Sequence, residues 1–162
     1  MIAHAGVSVS NYEKSKRFYE LVLSTIDYKP YMDLPEYKVA GFSDAAQSSF
    51  WINQKEPREN THVAFLAASK AEVIKFYKKA LAAGAKDNGA PGYRPQYSPS
   101  YYAAFVYDLD HNNIEAVWFD KSKNKAATKT KNKSKSKSKS KTNSKTKAKT
   151  TKKTVRKAPK RK

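Results

Sequence analysis

The sequence predicts an α+β domain of two tandem β-α-β-β-β modules, followed by a basic tail without a fold. Two observations carry this prediction: a pattern repeats within residues 1–120, and the composition changes at residue 121. His4 in IAHAGVSV recurs as His62 in THVAFLA, and the Arg17-Phe18-Tyr19 triplet recurs as Lys-Phe-Tyr at 75–77, both displaced by 58 residues. Because one such module leaves a face of its sheet uncovered, two copies are expected to pack together as a cleft or half-barrel.

Each module contains one amphipathic helix after its first strand. A Ser-x-x-Glu capping box precedes each helix, as Ser10/Glu13 and Ser69/Glu72. Gly84 supplies a left-handed stop after the second helix. Apolar side chains at helical spacing then define the buried stripes, which are Phe18, Leu21 and Val22 in the first helix and Val73, Phe76, Tyr77, Ala80 and Leu81 in the second.

Short β runs account for the rest of each module. Three runs follow the first helix, at 28–33, 37–42 and 49–53, and three follow the second, at 86–88, 101–107 and 113–119. A loop rich in Gly and Pro between residues 89 and 99 lengthens the second module. This insertion shifts the later repeat offset to 64 residues, which aligns Trp51 with Glu115.

The charge distribution separates the domain, 1–120, from the tail, 121–162. The domain holds 13 Lys and Arg against 14 Asp and Glu, together with all 20 aromatic residues, whereas the tail holds 20 basic residues and no acidic one. With so little apolar surface to bury, the tail is predicted to be disordered. The high positive charge of the tail predicts weak, non-specific, salt-sensitive binding to nucleic acid. An incidental or solubilising extension explains the composition of the tail equally well.

Composition also excludes several classes of protein. The chain has no cysteine, which rules out a disulfide scaffold, thiolate zinc sites and a cysteine nucleophile. The sequence contains no run of 18 apolar residues, so no membrane span is predicted, and the N-terminus shows no secretory signal pattern. We therefore expect an intracellular, cytoplasmic protein, and in a eukaryotic cell the basic residues 155–162 would suit a nuclear import receptor.

Three polar residues at strand positions are candidate metal ligands. His4 and His62 occupy equivalent first-strand positions, and Glu115 points away from Ile114 and Ala116 in the last strand. A carboxylate inside an apolar strand is costly unless it is paired, hydrated or bound to metal. Two imidazoles and one carboxylate make a facial triad that leaves coordination positions open. We predict that the three residues share one divalent ion, with a structural polar network as the alternative.

Residues 1–119 resemble the vicinal oxygen chelate superfamily, the group of glyoxalase I, bleomycin-resistance proteins and extradiol dioxygenases. The resemblance rests on the segments IAHAGVSVSNYEKSKRFYE, THVAFLAASKAEVIKFYKKALAAGA and YYAAFVYDLDHNNIEAVWF. The last segment looks like the family motif Asp-Pro-Asp-Gly-His/Asn-x-Ile-Glu, with Leu109 and His111 in place of Pro and Gly. We place His111 in a tight turn rather than in the metal site.

The resemblance implies a ligand set and an activity. His4, His62 and Glu115 would bind one divalent metal ion, and Fe, Mn, Ni, Zn and Mg all remain open. Trp51 stands at the family's fourth ligand position and cannot bind a metal. A three-ligand enzyme therefore fits better than a strict lactoylglutathione lyase, and it would act on a small molecule by chelating vicinal oxygens as a lyase, dioxygenase or thiol transferase.

Further roles follow from the same resemblance, and two alternatives to the enzyme remain, one of them based on the tail. Glu115 would also act in catalysis, Arg94 would bind an anionic group of the substrate, and Tyr102 would position it or transfer a proton, from a set that includes Tyr97 and Tyr101. A homodimer is expected, because many members share cleft walls between subunits. The alternatives are a non-catalytic sequestering protein of the bleomycin-resistance type and a nucleic-acid-associated protein acting through the tail.

Overall fold

The computed structural model describes residues 3–44, 49–56 and 60–123, and in them the predicted two-module α+β fold is confirmed. Apart from residues 121–123, the predicted disordered tail lies outside the described residues. The elements are β1 Ala5–Val9, α1 Tyr12–Leu23, β2 Lys29–Leu34, β3 Val39–Ser43, β4 Phe50–Gln54, β5 His62–Leu66, α2 Lys70–Ala82, β6 Lys86–Tyr93, β7 Tyr101–Tyr107 and β8 Asn113–Phe119.

Each module forms one four-stranded mixed sheet. The strand orders are β1-β4-β3-β2 and β5-β8-β7-β6, with the pairs β1/β4 and β5/β8 parallel and the other pairs antiparallel. Gly6 lies opposite Trp51 in the first sheet, and Ala64 lies opposite Glu115 in the second. Trp51 and Glu115 therefore hold equivalent positions, as the offset of 64 residues predicts.

Each helix covers one face of its sheet, and the two covered faces share one core. The Phe50 ring links the modules, because its centroid lies 5.0 Å from that of Tyr19 and 5.0 Å from that of Phe65. The opposite face of each sheet, called here the open face, carries Trp51 in the first sheet and Glu115 in the second. No helix among the described residues is long and apolar enough to cross a bilayer.

A polar turn, residues 108–112, whose end residues Asp108 and Asn112 are buried, ties the second module to the first. The Tyr19 hydroxyl donates to Asp108 Oδ2 at 2.6 Å, and Asn112 Nδ2 donates to the same oxygen at 2.9 Å and to the Ser8 carbonyl at 3.2 Å. Burial, together with the Asp108 carboxylate, raises the pKa of Tyr19 well above its usual value, so the phenol remains a donor. All three side chains are buried, and each has the partner that burial demands.

Helix α1 begins one residue later than the predicted capping box. Asn11 is its N-cap, with Oδ1 accepting from the Lys14 amide at 3.0 Å. Ser10 lies one residue outside the cap, and its amide donates to Asp110 Oδ1 at 3.0 Å in the turn at 108–112. In the second box the Ser69 hydroxyl caps α2 as predicted, accepting from the Glu72 amide at 3.2 Å, whereas the Glu72 carboxylate accepts from the amide of Ala68 at 2.8 Å instead of that of Ser69.

The Gly- and Pro-rich segment predicted to be a loop is partly strand. Strand β6 continues to Tyr93, and register shifts at Gly89 and before Gly92 accommodate residues that a regular ladder would exclude. Leu21, expected in the buried stripe, is 46 % exposed. Gly84 and His111 lie where predicted, with φ of 101° after α2 and 65° in the β7–β8 turn.

Replacing Tyr19 with Phe should destabilise the domain by about 1–2 kcal/mol, because Asp108 loses a buried hydrogen-bond donor. Urea denaturation followed by circular dichroism measures this loss. Tyr37→Phe is the matched control, since Tyr37 is 70 % exposed and should leave the free energy of unfolding unchanged. Equal stability of the two variants would show that the turn contributes nothing to holding the modules together.

Candidate metal centre

Glu115 is a buried carboxylate on the open face of the second sheet. The apolar residues Ile114 and Ala116 on either side of it enter the core, so strand alternation directs Glu115 the other way. Its exposed fraction is only 2 %. Burial raises the pKa of Glu115 above its usual value, and hydrogen bonds from Tyr101 and His62, with the nearby charge of Arg94, partly oppose this shift.

Tyr101 fixes one oxygen of that carboxylate. Its hydroxyl donates to Glu115 Oε1 at 2.6 Å. Burial and the adjacent carboxylate raise the pKa of Tyr101, which keeps the phenol protonated. Ring contacts with Tyr97 and Phe119, with centroids 5.2 Å away in both cases, hold the Tyr101 ring in place. The second oxygen, Oε2, is thereby left to face His62.

His62 presents one ring nitrogen to Glu115 and anchors the other on the backbone. Its Nδ1 lies 3.0 Å from the Asn113 carbonyl, and because a carbonyl only accepts, Nδ1 carries a proton. Its Nε2 lies 3.3 Å from Glu115 Oε2. The imidazole is half exposed, so Nε2 is accessible from the open face. Such anchoring of the outer nitrogen is typical of metal-binding histidines.

The spacing of these two donor atoms fits a shared cation. A neutral imidazole would point the Nε2 lone pair at the Glu115 carboxylate, and two acceptors 3.3 Å apart need a proton or cation between them. Nitrogen and oxygen ligands about 2.1 Å from one ion lie about 3.0 Å apart at a right angle and about 3.4 Å apart at the tetrahedral angle. The donor set, imidazole and carboxylate, suits Fe, Mn or Zn.

His4, the third predicted ligand, does not join this pair within the chain. It lies exposed just before β1. A cavity of about 370 Å³ has both His4 and His62 in its walls. Yet among residues 3–44, 49–56 and 60–123, no three His, Asp or Glu side chains lie close enough to hold one ion. One chain therefore brings together two of the three predicted donors.

Arg94 lies beside the carboxylate, whereas Tyr102 does not. The Arg94 Nη2 donates to the Ala90 carbonyl at 2.7 Å, and its guanidinium lies 5.4 Å from the centre of the Phe105 ring, which is the cross-strand neighbour of Glu115. Tyr102 occupies the opposite, core face of β7. The sequence analysis gave the positioning or proton-transfer role to Tyr102 instead of Tyr101. The β7–β8 register distinguishes the two, because it places Tyr101 on the same face as Glu115 and Tyr102 on the core face.

Comparison with known proteins places this architecture in a family. A family model described as the glyoxalase/bleomycin resistance protein/dioxygenase superfamily matches residues 1–116. A comparison with curated proteins found no match. Among solved structures, a glyoxalase/bleomycin resistance protein from Albidiferax ferrireducens T118 is 24% identical with a TM-score of 0.64, covering 72% of this chain and 97% of its own.

Two further solved structures share the fold. A lactoylglutathione lyase from Agrobacterium tumefaciens is 15% identical with a TM-score of 0.55, covering 73% of this chain and 92% of its own. A mutant of the fosfomycin resistance protein FosX from Listeria monocytogenes, complexed with Mn(II) and 1S,2S-dihydroxypropylphosphonic acid, is 19% identical with a TM-score of 0.55, covering 72% and 87%. With the family model matching most of its length, this chain belongs to the glyoxalase/bleomycin resistance protein/dioxygenase superfamily.

Proposed function

We propose that residues 1–120 form a metal-dependent enzyme that acts on a small molecule by chelating its vicinal oxygens. The observation that carries this proposal is the pair of His62 Nε2 and Glu115 Oε2, 3.3 Å apart, with both outer positions of the pair already hydrogen-bonded. A buried carboxylate is costly to keep, and a cation shared with His62 offsets that cost. The FosX structure, which contains Mn(II), has the same fold.

A second copy of the chain supplies the third ligand. The open faces carry exposed apolar side chains, Met32 in the first sheet and Leu66 and Phe119 in the second, that a partner would cover. Both sheets have the same topology. A twofold dimer that lays the first sheet of one copy over the second sheet of the other creates two identical sites. Each site then contains His4 from one copy and His62 with Glu115 from the other.

The chain's own residues divide the remaining work. A bound divalent ion supplies Lewis acidity toward vicinal oxygens of the substrate. His62 and Glu115 hold the ion, while Tyr101 orients the carboxylate through Oε1. Arg94 offers its charge to an anionic group of the substrate. Trp51 occupies the position equivalent to Glu115, so the fourth ligand of a strict lactoylglutathione lyase is missing and a three-ligand chemistry fits better.

The two alternatives make different demands on the molecule. A sequestering protein of the bleomycin-resistance type would use the same open faces but needs no metal, so metal binding by His62 and Glu115 distinguishes it from the enzyme. Nucleic-acid binding through the tail concerns residues 121–162, which lie outside the described residues from 124 onward. That binding is compatible with either function of the domain.

Protein purified without added metal should contain about one divalent ion per chain, and His62→Ala should lose it. Tyr101→Phe should weaken metal affinity about tenfold, because the carboxylate loses its orienting partner. Elemental analysis and calorimetric titration with Mn²⁺ and Zn²⁺ measure both effects. His111→Ala is the control, since His111 lies in the turn at 108–112. Full metal content in His62→Ala would exclude the proposed centre.

Mixing two inactive variants tests whether the site is shared between copies. His4→Ala and His62→Ala homodimers should each bind metal poorly. After joint refolding, random pairing gives heterodimers with one intact site, so about a quarter of wild-type metal binding should return. Light scattering reports the dimer in the same samples. If the three ligands came from one chain, mixing would restore nothing.

Glu115→Gln should stabilise the metal-free domain at pH 7–8 by a few degrees of melting temperature. The raised pKa of Glu115 means that the folded chain binds its proton more tightly than the unfolded chain. Stability of the wild type therefore falls as pH rises from the unfolded pKa through the folded pKa, and the Gln variant escapes this loss. Thermal melts in chelator at pH 4, 6 and 8 measure it. Added metal should reverse the order, because it stabilises only the wild type.

A further inference from the structure

A cavity of about 450 Å³ lies on the open face of the first sheet, next to His4. This volume is in the range of sites that bind small ligands. Its walls come from β1, β3 and β4 and from the residues next to these strands. They combine apolar and polar groups, among them His4, Gly6, Val39, Trp51, Asn53 and Lys55. None of these groups except His4 belongs to the proposed metal centre, so the cavity needs its own explanation.

The side chain of Trp51 lines this cavity and is partly exposed. Both of its cross-strand neighbours are glycines, Gly6 on β1 and Gly41 on β3, so no side chain flanks it from either strand. A β-carbon on Gly6 would lie 3.2 Å from the Trp51 carbonyl oxygen and 3.4 Å from the Trp51 Cβ, so the two strands approach closely there. Trp51 is partly exposed, and an exposed indole face favours stacking of a planar ring.

The other end of the cavity is polar and basic. Asn53 follows Trp51 on the same face of β4, about 7 Å further along the strand. Lys55 comes just after the strand, and its amide donates to the Val9 carbonyl at 3.2 Å, which fixes the root of the side chain. With respect to the described residues, neither the Asn53 amide nor the Lys55 ammonium has a side-chain hydrogen bond or ion pair. These groups are therefore free to bind an anion.

We propose that this cavity binds an aromatic carboxylate, with the ring stacked on Trp51 and the carboxylate at Asn53 and Lys55. Stacking on Trp51 supplies affinity for any flat ring, and the Lys55 ammonium favours a ligand that carries a negative charge over a neutral one. His4 lines the same cavity, so the ring lies next to a proposed metal ligand. The ligand's identity as the substrate rests on the proposed function, whereas its binding does not require the metal.

Calorimetric titration of the full chain with 2-naphthoate and 2-naphthamide, in chelator, tests this proposal. Naphthoate should bind more tightly than the neutral amide. Trp51→Ala should weaken both about tenfold or more, a loss typical of removing an aromatic stacking platform, and Trp51→Phe should retain most of the affinity. Lys55→Gln should weaken naphthoate about five- to tenfold and leave the amide unchanged.

Matched controls separate binding in the cavity from non-specific attraction of an anion to exposed lysines. Lys29→Gln removes an exposed lysine of β2 outside the cavity and should change neither affinity. Cyclohexanecarboxylate, which has the charge but no flat ring, should bind no better to the wild type than to Trp51→Ala. Naphthoate affinity that is absent, or unchanged in both Trp51→Ala and Lys55→Gln, would overturn the inference. Naphthoate binding in a protein that takes up no metal would refute only the proposed function.

Discussion

The buried Asp108 carboxylate and the hydrogen bonds that satisfy it are the constraint on which the site depends. Asp108 accepts from Tyr19 of the first module and from Asn112 of its own turn, so a group too costly to bury alone becomes a joint between modules. Strand β8 leaves this joint at Asn113, whose carbonyl orients His62, and two residues later it presents Glu115. The polar turn thus sets both the packing of the modules and the position of the His62–Glu115 pair.

The buried Glu115 carboxylate destabilises the folded chain, and interactions elsewhere in the fold must offset this. Among the described residues, Tyr101 and His62 are the side chains hydrogen-bonded to the buried Glu115 carboxylate, and burial opposes its charge. A Gln or Leu at this position would suit the apolar sheet better in the absence of a ligand. The shared aromatic core and the hydrogen bonds of Asp108 stabilise the fold enough to offset the unfavourable burial of the Glu115 carboxylate.

Much of the fold could be predicted because it depends on local periodicity. Strand alternation directed Glu115 to the open face, and the repeat offset correctly aligned it with Trp51. The prediction missed features that depend on partners distant in sequence. Asn11 caps α1, and the amide of Ser10 instead donates to Asp110, about a hundred residues away, a contact that local spacing does not contain. Choosing between Tyr101 and Tyr102 required the register of β7 on β8, which side-chain spacing within one strand does not contain.

The two repeated modules differ in chemistry at one pair of equivalent positions. At equivalent positions the second module has a carboxylate, Glu115, and the first has an indole, Trp51. Two carboxylates facing each other across a shared cleft would add repulsion and a second desolvation cost, whereas an indole adds apolar surface at no such cost. With Trp51 at this position, the first sheet has no metal-ligating side chain equivalent to Glu115. Under the proposed function, the first sheet recognises the organic part of a ligand through Trp51, and the second sheet holds the ion through His62 and Glu115.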